Sequence, residues 1–115
     1  MQKNDIVRLR HMLDAAKEAK SFAQTKTRRS LATDRQLVLA LVKSIEIIGE
    51  AAAKITKKCR EGLPQIPWEN IIGMRHRLIH AYFDINLDIL WKTVTEDLPP
   101  LIAALEKIIP PEKKP

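Results

Sequence analysis

The sequence predicts an all-α fold, a bundle of four or five helices. Three observations carry this. Apolar residues recur at three- and four-residue intervals along most of the chain. No segment alternates convincingly with period two. With only 3 glycines and 4% aromatic residues, the chain is poor in the side chains that strands and tight turns use. At 115 residues one domain is expected, over positions 1–109. Residues 110–115, Pro-Pro-Glu-Lys-Lys-Pro, read as a flexible basic tail.

The first helix is expected from about Asp5 to Phe22, with Ile6, Leu9, Leu13, Ala16, Ala19 and Phe22 as its apolar stripe. Thr25 to Thr33 reads as a basic loop. The second helix should start near Thr33, where Thr33 and Gln36 have capping-box spacing, and run to about Lys58. Leu37, Leu41, Ile45, Ile48, Ala52 and Ile55 form its stripe, and Val38, Val42 and Ile47 widen it. A helix so broadly apolar must bury more than one side, and a second subunit is the natural cover. Gly49 would let a neighbouring helix come close. Gly62 suits a left-handed turn after a helix. Pro67 suits the first turn of a third helix reaching Ala81 or Tyr82. Asn86 can cap a fourth. Pro99 and Pro100 break that helix and can open a last one.

The net charge of +6 fits a polyanionic partner such as RNA, although an ordinary solvated surface also accounts for it. Cys59 is the single cysteine, which excludes an intramolecular disulfide and a cysteine zinc site. Its neighbours Lys57, Lys58 and Arg60 would lower its pKa, but a plain helix-end cysteine is the simpler reading. The amino terminus lacks a signal peptide's apolar region, and no apolar run approaches a membrane span of ~20 residues. The cytoplasm is the expected location.

The chemistry concentrates in Arg75-His76-Arg77-Leu78-Ile79-His80-Ala81-Tyr82. On one continuous helix Arg75 would lie among Trp68, Ile71, Ile72, Leu78, Ile79 and Tyr82, on an apolar face. A guanidinium there needs an anion. Phosphate is one candidate, and Glu46 or Glu50 is the structural alternative. His80 titrates near neutral pH and can serve as acid or base in RNA cleavage. Arg75 can hold two phosphate oxygens. An ideal helix separates Arg75 from His80 by roughly 140°. Either the helix ends near His80 or the site is shared between two copies of the chain, and the shared site is the favoured solution. His76 and Arg77 are candidate supporting or substrate-binding residues. His76 and His80 have i, i+4 metal spacing without a third ligand nearby, so no metal and no cofactor are expected.

These residues resemble a known family. Arg75, four residues, His80, one residue, Tyr82 is similar to the signature of HepT-like toxins in the HEPN superfamily. The resemblance continues in Arg8-Leu9-Arg10-His11-Met12-Leu13, in Ile45-Glu46-Ile47-Ile48-Gly49-Glu50-Ala51-Ala52, in Leu63-Pro64-Gln65-Ile66-Pro67-Trp68 and in Asp97-Leu98-Pro99. It implies a homodimeric HEPN-type bundle with a composite cleft between subunits. It implies a metal-independent endoribonuclease, the toxin of a toxin–antitoxin system, with Arg75 and His80 catalytic. The implied partner is an MNT-type nucleotidyltransferase antitoxin that transfers AMP to the motif tyrosine, here Tyr82. Two positions depart from the family pattern: His76 stands where asparagine is common, and Ala81 where a polar residue is frequent. The alternative reading is a non-catalytic helical module that binds RNA or docks a nucleotidyltransferase.

Overall fold

Long apolar stripes need partners, and the two longest in this chain find each other. In the computed structural model, α1 (Lys3–Ala23) packs along α3 (Arg35–Lys54), with the short α2 (Ser30–Thr33) between them in sequence. The structure describes residues 1–81 and 84–110, without the side chains of 79–81. After α4 (Lys57–Glu61) and α5 (Trp68–Leu78) come strands β1 (Ile79–Ala81) and β2 (Asp84–Ile85). Helix α6 (Leu87–Lys92), a π-helical segment (Thr93–Asp97) and α7 (Leu98–Ile108) complete the order. Helix α5 lies on α3, and α7 lies on α1. Leu9, Met12, Leu41, Ile45, Ile48, Leu78, Leu98 and Leu105 are fully buried between them. The fold is all-α, as expected, with one two-stranded antiparallel ladder that no period-two pattern announced.

Several boundaries differ from expectation for local reasons. The cap of α3 is Asp34, whose carboxylate accepts from the Leu37 N–H at 3.0 Å, and not Thr33, which ends the short α2 inside the expected loop. Helix α3 stops at Lys54, before Lys58, because Asp5 of α1 captures the next turn. Asp5 is buried, and its two oxygens accept from the Thr56 N–H (2.9 Å) and hydroxyl (2.7 Å). The same hydroxyl accepts from Cys59 N–H and so caps α4. Gly62 keeps a right-handed φ of −75°, and its N–H bonds the Lys58 carbonyl, so no left-handed turn forms. Pro99 and Pro100 do not interrupt the chain with a loop. They lack the N–H groups an α-helix would direct at residues 95 and 96, and the chain widens into π-helical turns just ahead of them. Phe22 and Ile47 are more than a third exposed rather than core.

Gly49 does face a neighbouring helix, the chain's own α5. A Cβ there would meet the carbonyls of Ile71 and Ile72 at 3.6 and 3.7 Å, an ordinary contact. Residues 111–115, most of the expected tail, lie outside the described residues. Pro110 is held by its carbonyl, which accepts from an Arg10 guanidinium nitrogen at 2.8 Å.

Candidate active site

Helix α5 carries the three consecutive basic residues, and its burial pattern sets where each points. Ile71, Met74 and Leu78 are its buried residues. Arg75 stands roughly 65° from the centre of that stripe at 100° per residue. It therefore occupies the rim facing α3 rather than the middle of an apolar face. Met74 accounts for the difference, since it shifts the buried centre away from Arg75.

From the rim, Arg75 Nε donates to Glu46 Oε1 at 3.1 Å. The arginine side chain is 47% exposed and the glutamate 21%. Lys43 Nζ lies 4.0 Å from the other Glu46 oxygen. The structural partner foreseen for Arg75 is thus present. The hydrogen bond is made by Nε, and among the described residues the two terminal guanidinium nitrogens donate to none. A guanidinium that spends Nε on an anchor can offer its two terminal nitrogens to an anion and keep its orientation.

His76 and Arg77 do not join Arg75. His76 is exposed on the outer face of α5. Arg77 turns to the other side of the helix, where its nitrogens donate to the Asn70 carbonyl at 3.0 Å and side-chain oxygen at 3.5 Å. The three residues fan out, as consecutive helical positions must.

The helix ends before His80. Leu78 is its last residue, and the Leu78 carbonyl accepts from Asn86 N–H at 2.8 Å. Ile79 then pairs with Ile85, and Ala81 with Asp84, with a register irregularity between them. His80 is therefore a strand residue. The expected continuation of the helix to Ala81 or Tyr82 is corrected, and the 140° separation of an ideal helix no longer applies. Asn86 caps α6 as expected, accepting from Ile89 N–H at 3.0 Å. Tyr82 lies outside the described residues.

Two other chemical candidates resolve simply. Burial and the nearby Asp5 carboxylate push the Cys59 thiol above its usual range, with a smaller opposing pull from the chain's amino terminus. The expected lowering by its basic neighbours does not occur, and a protonated half-buried thiol is a poor nucleophile. Among the described residues, no group of three or more His, Cys, Asp or Glu is arranged to hold a metal ion. Nor, among them, is any helix long and apolar enough to cross a membrane.

Residues 12–108 match the family model described as ribonuclease HepT-like. The chain belongs to the HepT-like family. The matched span runs from the middle of α1 to the end of α7 and includes Glu46, Arg75 and His80. The chain is 43% identical over 75 residues to a relative from Thermococcus cleftensis named "Probable ribonuclease HepT", covering 65% of this chain and 68% of that protein. It is 42% identical over 80 residues to a "Putative RNase" of Caldanaerobacter subterraneus subsp. tengcongensis, covering 70% and 71% of the two chains. A "Putative RNase" of Methanocaldococcus jannaschii aligns over 107 residues at 34% identity, 92% of this chain and 98% of the relative. No solved structure matches the chain. The sequence signature singled out Arg75 and His80 as candidates. What the sequence did not single out was Glu46 as the anchor of Arg75 over the alternative Glu50. A three-dimensional helix crossing decides that choice, and no spacing rule encodes it.

Proposed function

We propose that this HepT-like protein is an endoribonuclease that cuts RNA at a site shared between two copies of the chain, with Arg75 and His80 as its catalytic pair. The carrying observation is the Arg75 guanidinium, anchored to Glu46 through Nε with its terminal nitrogens donating to none of the described residues, on a helix that ends two residues before His80. Membership of a ribonuclease family supports the choice of RNA as the polyanion.

In the proposed reaction the ribose 2′-oxygen attacks the adjacent phosphorus while an imidazole of His80 takes its proton. The bond from phosphorus to the 5′-oxygen breaks, and the His80 imidazolium of the other copy protonates that leaving oxygen. Arg75 neutralises the charge gathering on the non-bridging oxygens. The products are a 2′,3′-cyclic phosphate and a 5′-hydroxyl end, and no metal enters the scheme.

Dimerisation is supported by the outer surface of α3, where Leu39 and Ile47 are exposed at 47% and 37%. Gly73 adds to this. It interrupts α5 two residues before Arg75, yet a Cβ there would meet nothing within 4 Å. A helix interior gives up about 1 kcal/mol for such a glycine, and a second backbone approaching this point supplies a reason. The physiological role we propose is that of a toxin acting in the cytoplasm. It is silenced by a neighbouring MNT-type nucleotidyltransferase that adds AMP to Tyr82, placing negative charge and bulk beside the RNA site.

The test is RNA cleavage by purified Arg75→Ala and His80→Ala variants. Each should lose at least 10²-fold in rate, the usual size of an acid–base or charge-stabilising role. Product ends should be cyclic phosphates. Co-expression with the nucleotidyltransferase should raise the intact mass by AMP units on Tyr82. Full activity in His80→Ala overturns the assignment, and stable binding of uncut RNA by the parent favours the non-catalytic module.

A further inference from the structure

Between α1 and the C-terminal helical segments, the molecule has a second surface suited to a polyanion. An open groove of about 620 Å³ runs between the second half of α1, the π-helical segment and the start of α7. Trp91, Val94 and Ile102 form an apolar floor, and Lys17, Lys20 and Lys26 stand along its edge. Val94 and Ile102 are buried core residues, while Trp91 is only partly covered. Glu106 is the acidic residue in the lining, and it is already paired with Lys17 at 3.4 Å. Lys20 and Lys26 have no ion-pair partner among the described residues. Arg75 does not line this groove.

The two tryptophans differ in a telling way. Trp68 spends its indole N–H on the carbonyls of Arg60 and Leu63, both at 3.1 Å. Among the described residues, the Trp91 N–H donates to none, and its ring borders the groove. An apolar aromatic floor edged by unpaired ammonium groups is the arrangement that binds single-stranded nucleic acid. Bases stack on the floor and phosphates follow the edge, without sequence preference.

We infer that this groove is a second contact for single-stranded RNA, separate from the site of bond cleavage. Phosphates meet Lys20 and Lys26, and a base packs on Trp91. The inference rests on the ribonuclease reading for its choice of ligand. It gives the protein a way to retain a long strand while a different part of that strand is cut. The Arg28–Asp88 pair at 2.7 Å links the loop after α1, which carries Lys26, to the start of α6.

The probe is a ten-nucleotide, fully 2′-O-methylated RNA, which binds but cannot be cleaved. In the full-length parent, titration should move the indole N–H resonance of Trp91, assigned with Trp91→Phe, and leave that of Trp68 in place. The double variant Lys20→Glu/Lys26→Glu should raise Kd at least tenfold. It should also lower the salt slope of log K by about 1.4, the value for two phosphates on a single strand. A dinucleotide too short to span both sites should still be cut by the double variant at the parent's rate. If the parent fails to cut the dinucleotide, the catalytic reading falls while the binding readouts still decide the groove. Unchanged affinity and slope in the double variant overturn the groove. So does a stationary Trp91 resonance, or one that moves with protein concentration alone and marks a contact between copies.

Discussion

Asp5 does more for this molecule than its place in the first helical turn suggests. Its buried carboxylate receives both polar hydrogens of Thr56, and through that hydroxyl it fixes the start of α4. Asp5→Ala takes the carboxylate from the partly buried Thr56 N–H and hydroxyl, which costs roughly 1 kcal/mol. Urea unfolding should therefore show a lower midpoint with an unchanged m-value. Cys59, beside this network, has a thiol pushed upward by burial and by Asp5. It should react with iodoacetamide at pH 8 more slowly in the folded protein than in urea. The sign of the pH effect follows. The unfolded thiol ionises first as pH rises, so this residue withdraws stability above its unfolded pKa and contributes no change below it. A folded protein alkylated as fast as the unfolded chain contradicts that reading. At this scale the sequence was partly legible. Arg75 and His80 stood out by residue type and spacing. Asp5 did not, because an aspartate at a helix start has an ordinary local explanation and its distant partner, Thr56, is visible only after folding.

Each long helix followed from its apolar period, because α1, α3 and α7 bury continuous stripes and the stripe dictates the element. Two of the misplaced ends share a cause. Lys54 and Leu78 are stopped by groups distant in sequence, Asp5 for α3 and the Asn86 N–H for α5, whereas at Thr33 the adjacent Asp34 takes the cap that Thr33 resembled. A two-stranded ladder of five residues is also too short for a period to register. Helix α5 offers a direct test at this scale. Gly73→Ala removes backbone freedom without a clash, since nothing lies within 4 Å of the new Cβ. The isolated chain should gain about 0.5–1 kcal/mol in stability, measured by denaturant titration at low concentration. The proposed dimer should weaken, because the methyl group then stands where a second backbone approaches. A more stable chain with unaltered association separates the glycine from the interface.

At the scale of the whole molecule, one side carries apolar residues that need a cover and another carries cations that need an anion. Leu39 and Ile47 on α3 represent the first. The double variant Leu39→Glu/Ile47→Glu should fold as well as the parent, since surface substitutions rarely exceed ±0.5 kcal/mol. Sedimentation should find it monomeric, and cleavage should fall with the dimer fraction. A dimer that survives both charges moves the interface elsewhere. The breadth of apolar residues on the second helix raised a second cover as an expectation, and the packed structure leaves Ile47 37% exposed once α1 and α5 lie on α3.

The short excursion between Leu78 and Asn86 leaves α5, the Asn86 N–H closes it on the Leu78 carbonyl, and Ile85 packs against the core. The excursion carries the backbone at His80 off the helix and onto a strand. The backbone direction at His80 is therefore set by pairing with β2 and not by the rotation of α5.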